Sequence, residues 1–306
     1  MRCAARLGSA WMSLGIVGVL LCGLSAFATL ANAQGTQGQD AVYNSSNGVV
    51  GSSAFIDAGM FATSQRANIC AVLNFVLNPL NGIITSAGAV IDARGIPGIT
   101  PPVSMTCTAS PWAGITNPPA STILLPSGTI VIPSKWVLPS STHLIGEGST
   151  LSAGFTPGTT LQVSSSFTAY TPMIQFGSSS GCCSAISVEK LALDGGGTFV
   201  NGIENANAGD LSYVDHIAMV RILGTGLWVH GTANNSGPYS NITYDLVGYS
   251  GNSSTICANI NGLSGTRGIH GLSCTAENND PPAAVLLDSS NNSIEDVKIV
   301  GLKRCK

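Results

Sequence analysis

Residues 188–193 read Val188-Glu-Lys-Leu191-Ala-Leu193, and the same arrangement, apolar-x-x-apolar-x-apolar, returns four more times. The copies are Val214-Asp-His-Ile217-Ala-Met219, Tyr239-Ser-Asn-Ile242-Thr-Tyr244, Ile269-His-Gly-Leu272-Ser-Cys274 and Ile294-Glu-Asp-Val297-Lys-Ile299. Their central positions, 191, 217, 242, 272 and 297, are separated by 26, 25, 30 and 25 residues. The central residue and the one two beyond it share a face, which is the period of a strand. The apolar residue three places before the centre breaks that period, so a bend must separate it from the strand. A second short apolar element precedes the last four copies, at Gly202-Ile203, Gly226-Leu227, Ile256-Cys257 and Val285-Leu286. No intervening segment carries the helical periodicity of a βαβ unit, and the leucine-rich repeat signature is absent. The spacing therefore predicts an all-β parallel solenoid, one copy per turn, with apolar columns inside and small or polar residues outside. Asn-rich stretches at Asn205/Asn207, Asn234/Asn235, Asn259/Asn261 and Asn291/Asn292 are expected to line a corner and stack amide on amide.

Composition agrees with this reading. Only 9% of the 306 residues are charged and 37 are glycine. Twelve basic residues against fifteen acidic ones leave no positive excess for phosphate, so nucleic acid is not an expected partner. Residues 1–33 read as a signal peptide. Arg2 and Arg6 form a basic start, an uncharged apolar run follows, and Ala31-Asn-Ala33 is a cleavage pattern. The expected mature chain is secreted, periplasmic or surface-held, with no membrane contact after cleavage. Two of the nine cysteines, Cys3 and Cys22, leave with the leader, and the odd number that remains marks Cys305 as the unpaired one. Cys70 and Cys107 are a candidate disulfide. Cys257 and Cys274 fall in inward columns, as buried thiols or as a bridge.

Residues 34–64 are expected to be a flexible extension and 65–306 the solenoid, with 186–302 its regular part. Within it, the apolar residues Ile69, Val72, Leu73, Val76 and Leu77 share one helical face before Asn78-Pro79. Residues 65–79 are therefore expected to form an amphipathic capping helix over the first turn. Short strands are expected near 89–93, 122–125, 130–132 and 136–138.

Three strings in this half, Ile91-Asp-Ala-Arg-Gly95, Leu124-Leu-Pro-Ser-Gly-Thr129 and Leu144-Ile-Gly-Glu-Gly148, resemble the opening of secreted right-handed parallel β-helix proteins of the pectate lyase superfamily. Asn235-Ser-Gly-Pro-Tyr-Ser-Asn-Ile242 and Thr266-Arg-Gly-Ile-His-Gly271 are similar to that group too. The resemblance implies a right-handed β-helix that engages polysaccharide, as a lyase, a glycoside hydrolase or a non-catalytic binder, with calcium as a candidate cofactor. The superfamily's hydrolase strings, Asn-Thr-Asp, Asp-Asp, Gly-His-Gly and Arg-Ile-Lys, are absent.

The repeat register supplies its own candidates. The column two before the centre reads Glu189, Asp215, Ser240, His270, Glu295. Glu189 and Asp215 then sit one rung apart, about 5 Å, a spacing suited to an acid and a nucleophile or to a shared calcium. His216 beside Asp215 and His270 two rungs further are candidate proton carriers. Arg267 and Lys298 are candidates for meeting an acidic sugar. Solvated turn polarity is the competing reading of the four column residues, and an ordinary surface role that of Arg267 and Lys298. Asp194 reads as a turn residue before Gly195, and Asp92 with Arg94 as a structural pair. Trp228 and Tyr244 are assigned to inward columns, which leaves few rings for sugar stacking and favours the rival class, a non-catalytic adhesion scaffold. The last strand has no following cap, so the chain is expected to be the N-terminal part of a longer β-helix or to pair through that edge with another chain.

Overall fold

The computed structural model describes residues 41–44, 48–51, 55–60, 68–84, 87–96, 104–149, 158–178, 182–231, 235–247, 255–261, 268–275, 283–287 and 293–300. The leader, Arg267 and Cys305 lie outside the described residues. The fold is the expected parallel β-solenoid, and its cross-section has three faces. The first runs through Phe55–Asp57, Ala89–Asp92, Ser121–Leu124, Thr142–Ile145, 187–189, 213–215, 239–240, 269–270 and Ile294–Glu295. The second stacks Ser104–Thr106, Gly128–Ile132, Thr159–Val163, 191–194, 217–220, 242–245, 272–275 and Lys298–Val300. The third is a six-stranded sheet from Trp136–Leu138 through Pro172–Phe176, Asn201–Asn205, Thr225–Val229 and Ile256–Ile260 to Ala283–Leu287.

The expected register is the observed one. Leu191, Ile217, Ile242 and Leu272 pair in sequence, as do Glu189, Asp215, Ser240, His270 and Glu295. The bend required between positions −3 and 0 is a single left-handed residue in every copy. Lys190, His216, Asn241, Gly271 and Asp296 have φ of 54°, 54°, 53°, 70° and 54°. Inward residues on both sides of the first three corners are sealed, with Val188, Leu191, Leu193, Val214, Met219, Tyr239 and Tyr244 all fully buried, whereas in the last copy Ile294 and Val297 are half-buried and Ile299 is exposed.

Across the interior, the third face adjusts in size to the second. A Cβ added to Gly202 would come within 2.9 Å of the Met219 sulfur, and one added to Gly226 within 2.7 Å of the Tyr244 ring. Met219, Tyr244 and Cys274 are successive residues of one column. Where that column shrinks to Cys274, the residue following Gly226 in the third-face stack is Cys257, and the two sulfurs bond. The open choice between buried thiols and a bridge is thus decided for the bridge.

At the N-terminal end, helix α1 (Ile69–Leu77) buries Ile69, Cys70, Val72, Leu73, Val76 and Leu77. Asn68 caps it, accepting from Ala71 N, and also bridges Thr106, so the helix rises directly from the end of the second face. Asn78 is extended ahead of Pro79, which stops it as expected. The Cys70–Cys107 disulfide is present and ties the helix to the turn after Ser104–Thr106. Asp92 and Arg94 form the expected ion pair at 2.7 Å.

Two expectations change. Phe55–Asp57, assigned to the extension, pairs with Ala89–Asp92 and buries Ile56, so the stack begins one strand earlier. Among the described residues the Asn stretches form no amide ladder: Asn205 stacks between Phe176 and Val229, and Asn259 between Trp228 and Leu286, while Asn234, Asn291 and Asn292 lie outside the described residues. Asn205 instead braces its own turn. Its Oδ1 accepts from Asn207 and Ala208 N, and its Nδ2 donates to Ala208 O and to the Tyr239 hydroxyl.

Two predictions follow from this packing. A β-branched residue is badly strained at a left-handed corner. Lys190→Val is expected to cost about 1–2 kcal/mol in denaturant unfolding, whereas Lys190→Gly should leave the midpoint unchanged or raise it slightly. The second concerns alkali. Burial pushes the Tyr239 phenol up to about 12, against its hydrogen bonds with Ser236 and Asn205, and burial pushes the Tyr244 phenol, which donates to the Ile222 carbonyl, up further. A raised folded value means that stability is whole below the ordinary tyrosine value of about 10 and declines as pH climbs through the folded value. Tyrosinate absorbance from these two rings should therefore rise together with loss of the far-ultraviolet β signal. Ionisation of both rings in a chain that keeps its β signal would contradict it.

Candidate functional site

Among the described residues, outward side chains cluster in three places, one per face. On the first face, His143, Ser187 and Tyr213 are register neighbours. The Ser187 hydroxyl donates to Glu189 Oε1 at 2.9 Å, and the Tyr213 hydroxyl donates to the same oxygen at 2.7 Å. His143 Nδ1 lies 2.8 Å from Ser187 Oγ. With the single Ser187 proton given to Glu189, the consistent tautomer has His143 donating from Nδ1, which leaves Nε2 as an acceptor. Burial raises the Tyr213 phenol above its usual range, and the bond to Glu189 adds to this.

Asp215 is the register partner of Glu189, as the repeat implied. Its Oδ2 meets His216 Nδ1 at 2.7 Å, and its Oδ1 accepts from Asn241 Nδ2 at 2.9 Å. His216 is the left-handed corner residue that directly follows Asp215. Glu189, Asp215 and His216 therefore come together, and their rung spacing of about 4.8 Å remains the one that suits paired carboxylates. His270 does not join them: it lies two rungs beyond Asp215 and faces Glu295 at 3.1 Å. Lys298 is on the second face in register with Ser273 and exposed. For calcium the donor set does not fit. Among the described residues no three His, Cys, Asp or Glu side chains converge, and both oxygens of Asp215 already have partners.

The second-face cluster centres on Asp194. It accepts from Gly196 N at 2.9 Å, as a turn residue would, and also from Gln162 Nε2 at 2.9 Å and Arg221 Nε at 2.7 Å, with Arg221 Nη2 on its other oxygen. Asp245 shares its column two rungs on. A side chain so enclosed by protein donors is a brace.

The third face carries what the sequence reading missed. Its outward column runs Val137, Gln175, Glu204, Trp228, Asn259, Leu286. Trp228 is thus not inward: Leu227 and Val229 fill the interior, and the alternation sends the indole outside, where it is half-buried. Tyr244 is inward as expected. His230 stacks on Trp228 with ring centroids 4.1 Å apart and planes 24° apart, and its Nε2 meets Glu204 Oε1 at 3.0 Å. Lys135 donates to Gln175 one rung before Glu204. At the N-terminal end of the column lies a cleft of about 600 Å³, lined among others by Trp112, Asn117, Lys135, Val137, Pro139 and Ser178. Trp112 closes its floor, edge-on to the buried Trp136 at 6.0 Å. The alternation Thr225-Gly-Leu-Trp-Val229 was the signal that could have placed Trp228 outside.

Comparison with protein-family models, with curated proteins and with solved structures finds no match for this chain.

If Asp194 is a brace, its loss is felt in stability. Asp194→Ala removes the acceptor of four donors and should cost about 2–4 kcal/mol in thermal or denaturant unfolding. An unchanged midpoint would leave the residue without that role.

Proposed function

We propose that this parallel β-solenoid binds polysaccharide along the outer wall of its third face. The observation that carries the reading is the outward Trp228, stacked on His230 and edged by the Glu204 carboxylate. Sugar rings present apolar C–H faces and a rim of hydroxyls, so a site for them combines an aromatic surface with carboxylate and amide groups. Gln175, Glu204 and Asn259 supply that rim at rung intervals on both sides of the indole, and the cleft beside Val137 continues the same line. The export pattern of residues 1–33 and the strings that resemble pectate lyase superfamily proteins are in keeping with an extracellular glycan as ligand.

Cleavage is a second reading, favoured by one observation, the adjacency of Glu189 and Asp215 on the first face. A lyase or hydrolase acting there would leave unsaturated or reducing ends.

A panel of neutral and acidic glycans tests both. Titration calorimetry is expected to find a ligand whose affinity falls about tenfold or more in Trp228→Ala, as for an aromatic anchor. Glu189→Gln combined with Asp215→Asn should leave that affinity unchanged. Binding indifferent to Trp228→Ala, or no binding to any glycan, sinks the proposal. New chain ends that vanish in the double variant would add cleavage, and their absence from every glycan removes it.

A further inference from the structure

Among the described residues there are three disulfides, and one of them cannot be a staple. Cys70–Cys107 spans 37 residues and Cys257–Cys274 spans 17, and all four cysteines are buried, at 6% exposure or less. Both restrain the unfolded chain and hold separate elements together. Cys182 and Cys183 are adjacent in sequence, so their bond closes no loop of intervening chain and removes almost no freedom from the unfolded state. Cys182 is exposed and Cys183 half-buried. A disulfide that adds little to folding and faces solvent is the reactive one of the three.

Its surroundings are built around it. The pair lies in the connection between the strand Pro172–Phe176 of the third face and the segment 187–189 of the first. Both sulfurs press on Gly177: a Cβ there would come within 2.7 Å of the Cys182 sulfur and 2.8 Å of the Cys183 sulfur. Gly177 also has φ of 74°, so the position suits no other residue. The Gly177 carbonyl accepts from Gln175 Nε2 and Asn207 Nδ2, and the Cys183 carbonyl accepts from Gly209 N at 2.9 Å. Ser178, next along, lines the third-face cleft. The sulfurs thus sit on the turn that joins the cleft to the next strand.

We propose that Cys182–Cys183 is a thiol–disulfide exchange site whose partner is an external dithiol. One thiolate of the partner attacks a cysteine sulfur, the Cys182–Cys183 bond breaks, and a mixed disulfide forms. The partner's second thiol then displaces the protein sulfur. Two electrons and two protons pass to the chain, which leaves as a pair of neighbouring thiols, and the partner leaves as a disulfide. Opening frees the two sulfurs from their ring above Gly177 and loosens the Cys183–Gly209 contact. The reverse exchange, with an external disulfide as oxidant, closes the ring again.

The test uses the folded, oxidised chain. It is titrated with dithiothreitol without denaturant, trapped with N-ethylmaleimide and mapped by peptide mass spectrometry. Cys182 and Cys183 should be labelled at about tenfold lower reductant, or lower still, than the two buried pairs. Amide hydrogen exchange at Gly209 should speed up in the same samples. Opening of the pair together with or after Cys70–Cys107 and Cys257–Cys274 overturns the proposal, as does labelling before any reductant is added. The variant with Cys182→Ser and Cys183→Ser should keep the parent Tm and show the faster Gly209 exchange. A fall in Tm as large as that of a Cys70→Ser, Cys107→Ser variant would make the pair a staple after all. None of these readouts involves a glycan, so the outcome is independent of the binding proposal.

Discussion

Each of the five regular turns of this solenoid, from Val188 onward, depends on one residue in the left-handed region between its first and second faces. Lys190, His216, Asn241, Gly271 and Asp296 each redirect the chain within a single step, so the parallel pairing resumes at once on the new face. For a residue other than glycine that conformation costs about 1–2 kcal/mol, and four of the five positions bear it. What offsets the cost is the pair of inward residues that the corner brings together. Val188 with Leu191, Val214 with Ile217, and Tyr239 with Ile242 are at most 1% exposed, and each such side chain contributes on the order of 1.5–3 kcal/mol on burial. The corner residues are Lys, His, Asn, Gly and Asp, with no β-branched side chain among them. The same geometry points polar groups outward in a line, and the Asp215–His216–Asn241 group on the first face is a product of it.

This dependence explains why part of the fold was legible in the sequence. A strand period interrupted at a fixed place is a direct image of the corner, so the first two faces and their register could be read from residues 188–299. The third face leaves a fainter trace. Its identities answer to a neighbour across the interior, small at Gly202 and Gly226 where Met219 and Tyr244 are large, and Cys257 where Cys274 is small. That correspondence is invisible until the faces are known to oppose one another. Trp228 was misplaced for a related reason, since an apolar residue beside Leu227 and Val229 reads as core unless the alternation is followed strictly.

The candidate sites divide along the same line. Glu189 with Asp215 was legible because both lie in the regular column. His143 was not. Its place beside Ser187 depends on pairing across a connection of irregular length, before the repeats settle to about 25 residues, and no local pattern marks it. The covalent features are split too. Cys70–Cys107 could be anticipated from a cap that needs tethering, while the role proposed for Cys182–Cys183 rests on the exposure of Cys182, which folding alone reveals.

A chain with 9% charge has few polar groups to distribute, and their use separates the three walls. On the second face Asp194 is surrounded by protein donors and has nothing to offer a ligand. On the first face, Ser187 and Tyr213 share one oxygen of Glu189, and His216 and Asn241 take both oxygens of Asp215, so a ligand would have to compete with bonds already made. The third face is different in kind. Its indole lies outward and half-buried, stacked on His230, and offers aromatic surface rather than a hydrogen bond already made. A sugar ring laid against it would add contact, whereas on the first face a ligand would exchange one hydrogen bond for another. The wall with the outward ring is therefore the one on which binding has the most to gain.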